Sequence, residues 1–465
     1  MVDLAHIQEY NMEIFLKDKN GLTDQQIKEA IIKSIEGKEL KKVLIIPPDI
    51  TRFYSKAGYI TNVYYHLLKD SCHIDILPAL GTHDPMTKEE CEEMFGDIPY
   101  ELFIPHNWRS DVVKIGEVPS EYIEEITEGL WHDSVDVEVN KLLLDPSYDL
   151  IVSIGQVVPH EVIGMANHSK NIFVGVGGKK MINASHMIGA VYGMERMMGK
   201  DHTPVRKVFD YGCEHFINNL PIIYALTVTT NPNLVTKTHG LFIGEKRNVL
   251  EEAIKLSQET NINFVEKGIK KCVVYLEPKE FRTTWLGNKA VYRTRMAMAD
   301  GGELIVLAPG ITRFGEDLGV DAIIRKYGYC GRLKVLELFD GGNLDMRNNM
   351  GTAAHLIHGS SDGRFNISYA VKNISKEEIV SYAAKNALSY VDDETNFECD
   401  CSRNLIRNKI MPLIQSNWPN IEQNIMSFST LCKLDDEYIS NQISYDSLTY
   451  EKSCSASKTI LGLAP

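Results

Sequence analysis

The chain has 465 residues, 44% of them apolar, and 49 basic against 63 acidic side chains give a net charge of −14. That length suits two or three domains with ordinary cores. The acidic balance argues against nonspecific nucleic-acid binding as the main activity, and no apolar run reaches the roughly 20 residues that span a bilayer.

The first residues, Met1-Val-Asp-Leu-Ala-His-Ile7, lack a basic head followed by an apolar run, so no secretion signal is read there. Strand-length apolar runs follow at Val43–Ile46, Ile74–Leu77, Leu150–Ile154, Cys272–Leu276 and Leu304–Leu307. They alternate with helix-like stretches such as Asp24–Ile35, Thr87–Phe95 and Val249–Gln258. This alternation predicts α/β architecture with largely parallel sheets, and near-continuous Val/Ile/Leu runs suit strands covered on both faces. Thr87-Lys-Glu-Glu90 is a capping box. A junction is read near Lys267–Lys271, where the alternation restarts. Residues 1–270 and 271–385 are therefore expected to be two α/β domains. From 386 to 465 Asn, Ser, Asp and Cys become frequent and helical periodicity takes over, which predicts a helical tail. Nine cysteines are scattered, with only Cys399 and Cys401 close together, so reduced thiols in a cytoplasmic protein are expected.

Chemistry-bearing residues gather just after the strands, where open α/β sheets bind ligands. Pro47-Pro-Asp-Ile-Thr-Arg52 follows the first run. Arg52 suits a carboxylate, and Asp49 is placed to orient either that arginine or a histidine. The bland reading is a solvated turn with a surface ion pair. Gly81-Thr-His-Asp-Pro85 puts His83 on a tight turn. Pro159–His186 is the densest stretch, with His160, His168 and His186, Gly175-Val-Gly-Gly178 and the pair Lys179–Lys180. Imidazoles ligate metals and move protons, and a lysine can carry a covalent cofactor. The glycines match neither phosphate-loop spacing. Further on, Lys289, Arg293 and Arg295 are clustered cations that could face an anionic substrate. Lys289 and Arg293 share a helix face, which also reads as an ordinary basic face. His355 and His358 read as structural.

Together these motifs resemble the lactate racemase family over about residues 40–370. The landmarks are Asp49-Ile-Thr-Arg52, Gly81-Thr-His83, Pro159-His160, Gly177-Gly-Lys-Lys180 and Asp300-Gly-Gly302. The resemblance implies two α/β domains enclosing a cleft. It also implies a nickel-pincer nucleotide (nickel pyridinium-3,5-bisthiocarboxylic acid mononucleotide) and the enzymes that make it. In that family a lysine tethers the pincer, a histidine completes the nickel coordination, and two histidines exchange the hydroxyl proton while the C2 hydride moves to the pincer and back. Carried over, His83 and His160 would be the acid/base pair. Lys180 would be the tether, with Lys179, Gly177 and Gly178 around the cofactor. Arg52 and Asp49 would bind substrate, joined by Lys289, Arg293 or Arg295. His186, or else His168, would bind nickel. The sequence departs from the family pattern through about ten extra residues, including Asn167-His-Ser-Lys170, after His160. That longer form resembles a branch expected to epimerise C2 of sugar acids such as mannonate or gluconate.

The tail is similar to another family. Asp393-Glu-Thr-Asn396 and Ser402–Leu413 resemble a segment of tRNA(Ile)-lysidine synthetases over about 386–440. The Ser-Gly-Gly-x-Asp-Ser loop of that family is absent, which excludes lysine ligation as a reading. The expected function is C2 inversion of a small 2-hydroxy acid, an aldonate rather than lactate. The alternatives are a silent relative that binds a sugar acid or nucleotide, and an RNA-associated protein acting through its tail.

Overall fold

The computed structural model describes residues 13–232, 235–278 and 281–371, together with residue 416. The expected tail, 386–465, and the motifs in it lie outside the described residues, Ser416 apart.

The first sheet has six strands: β1 (Ile14–Lys17), β2 (Lys42–Ile46) and β3 (His73–Ile76), then the hairpin β4 (Val112–Val118) and β5 (Val135–Asn140) stands apart before β6 (Leu150–Gln156). A two-residue pair, β7 (Pro159–His160) with β8 (Gly164–Met165), precedes the last two strands of the sheet, β9 (Ile222–Thr230) and β10 (Lys237–Gly244). The order across the sheet is β1-β10-β9-β6-β2-β3. Strands β3, β2, β6 and β9 run parallel, whereas β10 runs antiparallel to both of its neighbours, β9 and β1. The sheet is thus mixed, parallel in the half that carries the motifs. In β2 the four residues Val43–Ile46 are all fully buried, as a strand covered on both faces requires.

Helices cover both faces. On one side α1 (Asp24–Ile35) and α2 (Ala57–Leu68) pack on Val43 and Ile45. In α1, Ile27, Ala30, Ile31 and Ser34 recur at helical spacing on the buried face, and Thr23 closes a capping box. The box expected at Thr87 opens α3 (Lys88–Phe95). After α4 (Ser120–Ile126), the opposite face is covered by α5 (Lys179–Tyr192), α6 (Met194–Met197), α7 (Pro204–Phe216) and α8 (Asn248–Asn261).

The second sheet is parallel: β11 (Ile269–Tyr275), β12 (Met298–Leu307) and β13 (Asn366–Ala370), in that order. Between β11 and β12 lie α9 (Thr284–Gly287) and α10 (Lys289–Thr294). Between β12 and β13 lie α11 (Leu318–Tyr327), α12 (Gly331–Asp340), α13 (Leu344–Asn348) and α14 (Met350–His358). Helix α14 packs along α5, so one continuous core runs from Leu44 and Ile46 through Met181 and Ile188 to Ala353 and Leu356.

Candidate active site

Three adjacent parallel strands deliver the site. The chain leaves β2 through Pro47 and Pro48 and enters a tight turn over Ile50–Ser55. Asp49 caps that turn: its Oδ1 accepts the Thr51 amide at 3.2 Å and the Thr51 hydroxyl at 2.5 Å. Its Oδ2 lies 2.5 Å from His83 Nδ1. His83 follows β3, on a turn where Gly81 takes a φ of 58° and donates its amide to Gly175 O. Burial raises the Asp49 pKa, but the bonds from His83 and Thr51 and the charges of His83 and Arg52 outweigh it and hold it below its ordinary value. A carboxylate on Nδ1 fixes the proton there and leaves Nε2 as the base, facing out on a ring that is 56% exposed.

His160 follows β6 in the β7–β8 hairpin and has the opposite tautomer. Its Nδ1 accepts the Val162 amide at 3.1 Å, so the neutral ring carries its proton on Nε2. Burial pushes its pKa down to about 3. Glu161, 3.8 Å away, opposes that, and Lys170, Arg52 and His186 reinforce it. Arg52, exposed on the Asp49 turn, also acts on Lys170.

Lys170 was missed as a site residue by sequence reasoning. It stands just before a single wide turn, Asn171–Gly175, that is tied into the core. Asn171 Nδ2 donates to Ile46 O at 3.1 Å and Ser153 Oγ at 3.0 Å. The preceding residues are clamped by Arg206, 1% exposed, whose guanidinium donates to Ser169 Oγ and to the carbonyls of Met165 and Asn167. Burial lowers the Lys170 pKa to about 8, with Arg52 adding to the shift and Glu161 opposing it. Lys170 is the single Asp, Glu, Lys or Arg in Ile163–Val176, the one signal in the sequence that could have found it. His186, on α5, donates Nδ1–H to Ile182 O at 2.7 Å, which leaves Nε2 with its lone pair. Burial lowers its pKa, and Lys170 acts in the same direction.

Asp49, Arg52, His83, His160 and His186 thus belong to one electrostatic neighbourhood with Lys170 and Glu161. Other expected residues do not. Lys180 Nζ pairs with Asp136 at 2.5 Å on the exposed side of α5, and Lys179 is exposed beside it. Lys180, the expected tether, is thus engaged with the carboxylates of β5, its Nζ with Asp136 and its amide with Glu138. Gly177 and Gly178 close on protein: a Cβ there would meet Phe173 O at 1.8 Å and Glu138 Oε2 at 2.1 Å. His168, the second expected nickel ligand, packs on β9. Its ring stacks on Tyr224 at 3.7 Å, 4% exposed, and neither nitrogen has a partner among the described residues. Arg295, 2% exposed, is held by Glu195 and by the carbonyls of His358 and Ser360, so its role is to tie α6 to α14. Lys289 extends over the Phe281 ring at 6.0 Å and Arg293 is exposed. Among the described residues no contact joins either to the cluster.

The lactate racemase N-terminal domain family matches residues 17–198, and a PP-loop domain family matches residues 360–414. A crystal structure of a protein from Thermotoga maritima is similar at 26% identity and a TM-score of 0.66, over 81% of this chain and 93% of that one. The lactate racemase apoprotein from Thermoanaerobacterium thermosaccharolyticum shares the fold, with a TM-score of 0.58 at 18% identity over 81% of this chain and 90% of that one. The tRNA(Ile)-lysidine synthase of Idiomarina loihiensis is 35% identical over 60 residues, 13% of each chain. That of Wigglesworthia glossinidia brevipalpis is 38% identical over 73 residues, 16% of this chain and 18% of the relative. The chain thus spans less than a fifth of the length of these two synthases.

Proposed function

We propose that this chain, lactate racemase-like in its residues 17–198 and in its fold, inverts C2 of a 2-hydroxy acid, an aldonate such as gluconate or mannonate in preference to lactate. The observation that carries this reading is the meeting of three adjacent strand ends. They carry an Asp49–His83 dyad, Arg52 and His160, and the charges of Arg52, Lys170 and His186 all act on His160.

A nickel-pincer nucleotide fits the residues present. Among the described residues no three or more His, Cys, Asp or Glu side chains gather as a metal site. A cofactor that brings its own sulfur and carbon donors needs one imidazole from the chain. His186 would supply that nitrogen through Nε2, oriented by its bond to Ile182. Lys170, rather than Lys180, would hold the covalent link, since its lowered pKa leaves part of the amine neutral and nucleophilic near neutral pH. When bound, the group would accept the C2 hydride and return it.

The chain's own residues do the rest. Arg52 clamps the substrate carboxylate. His83 Nε2 takes the C2 hydroxyl proton, and Asp49 stabilises the imidazolium that forms. His160 keeps its proton and donates a hydrogen bond from Nε2–H to the same oxygen, since a neutral imidazole does not give up its last N–H. For the opposite hand it must present a lone pair, which requires the proton to move to Nδ1 and the Val162 amide to release it. The test is protein co-expressed with the cofactor-making enzymes and assayed on lactate, malate, gluconate and mannonate. The expected result is a C2 epimer from at least one acid, with deuterium retained from 2-deuterated substrate. Nickel-loaded protein that epimerises none of them would overturn the reading.

A further inference from the structure

Helix α14 brings one more histidine against the cluster. His358 is 5% exposed, and its Nε2 has no hydrogen-bond partner among the described residues. Its ring meets Tyr292 edge-on at 5.7 Å, and Arg295 holds its carbonyl at 3.4 Å. Helix α14 packs along α5, the helix that carries His186.

His355, one turn earlier, shows what a satisfied core histidine looks like. Its Nε2 accepts from Asn288 Nδ2 at 3.2 Å, its Nδ1–H donates to the Tyr292 hydroxyl oxygen at 2.8 Å, and its ring stacks on Trp285 at 3.8 Å. His358 Nε2, by contrast, is buried and has no hydrogen-bond partner among the described residues. Buried polar atoms are paired in the great majority of cases, so an exception beside a binding site points to a ligand. Burial pushes the His358 pKa down to about 3, and His186 adds to the shift while Glu161 opposes it. The ring is therefore neutral, with one N–H and one lone pair.

Glu161 is the second polar group without an assigned task. It turns out of the β7–β8 hairpin 3.8 Å from His160, its side chain 37% exposed, and it interacts electrostatically with both His160 and His358. The carboxylate and C2 hydroxyl of a 2-hydroxy acid already have Arg52, His83 and His160. The methyl group of lactate offers nothing to a neutral imidazole or a carboxylate. A run of hydroxyls, each both donor and acceptor, matches both.

We propose that His358 Nε2 and the Glu161 carboxylate bind hydroxyls beyond C2 of a polyhydroxylated acid, and so set the preference for aldonate over lactate. This rests on the reading of the cluster as a 2-hydroxy acid site. A site built to bond a hydroxyl discriminates strongly against the analogue that lacks it.

The experiment measures kcat/KM for gluconate and lactate with the holoenzyme, in the wild type, His358→Phe, His358→Gln and Glu161→Gln, each checked by thermal melting. His358→Phe is expected to lower the gluconate-to-lactate ratio by about tenfold or more, chiefly through KM, with His358→Gln recovering part of it. A ratio within about twofold of wild type in the folded His358→Phe and Glu161→Gln variants, or a wild type that prefers lactate, overturns the proposal. Calorimetric titration of gluconate separates this failure from failure of the epimerase reading. Gluconate that binds wild type and not His358→Phe supports the assignment even where no acid is epimerised. Gluconate that does not bind wild type overturns it.

Discussion

Asp49 Oδ2 and His83 Nδ1 lie 2.5 Å apart although they leave different strands, β2 and β3. That single contact sets the proton on Nδ1 and frees Nε2 as a base. Asp49→Asn keeps the shape but can present an N–H to Nδ1, which reverses the tautomer. We expect kcat for epimerisation to fall by roughly a hundredfold or more with KM little changed. Nitrogen NMR of the two rings gives a second check: His83 should carry its proton on Nδ1 and His160 on Nε2. The same tautomer in both rings would remove the assigned division of roles.

Lys170 and Lys180 make a direct comparison. In protein co-expressed with the cofactor-making enzymes, Lys170→Ala should lose any covalent mass adduct and Lys180→Ala should keep it. The physical reason is placement, since Lys170 shares the field of Arg52 and Glu161 whereas Lys180 is bound to Asp136. An adduct that survives Lys170→Ala and disappears in Lys180→Ala would restore the tether first expected from the sequence.

Acid should unfold this protein early. His106, His160, His168, His186, His355 and His358 all have pKa values lowered by burial, His160 and His358 to about 3. In the unfolded chain each titrates near 6.5. Below that pH the unfolded state binds more protons, so stability is full above about pH 6.5 and declines as pH falls towards 3. Each such group steepens the decline by up to about 1.4 kcal/mol per pH unit. His168→Phe keeps the stack on Tyr224 and removes one of them. Urea unfolding between pH 7 and 4.5 should show a flatter pH dependence in this variant, with nickel content unchanged. Lost nickel would return His168 to the list of ligands.

Arg206 holds the segment that delivers Lys170. Arg206→Met leaves Ser169 Oγ and the carbonyls of Met165 and Asn167 without their donor. A cost of about 3 kcal/mol is expected, read as a lower urea midpoint, together with loss of any adduct on Lys170. A variant as stable as wild type would show that the segment is held by its other bonds.

The sequence by itself marked several of the elements, though β12 begins at Met298 rather than Leu304 and β1, β4, β5, β9 and β10 carried no reading. Apolar runs marked β2, β3 and β6, Thr87 marked the start of α3, and the polar residues after the runs marked where ligands gather. It also showed that Asp49, Arg52, His83 and His160 lie within a few residues of strand ends. Only the tertiary structure decided lateral questions: that Asp49 reaches His83, that Lys180 pairs with Asp136, and that His168 stacks on Tyr224. Those answers depend on which strands lie side by side and on which way a turn of backbone aims its side chains. Spacing along the chain carries neither, and the mixed sheet and the clamp by Arg206 supply both.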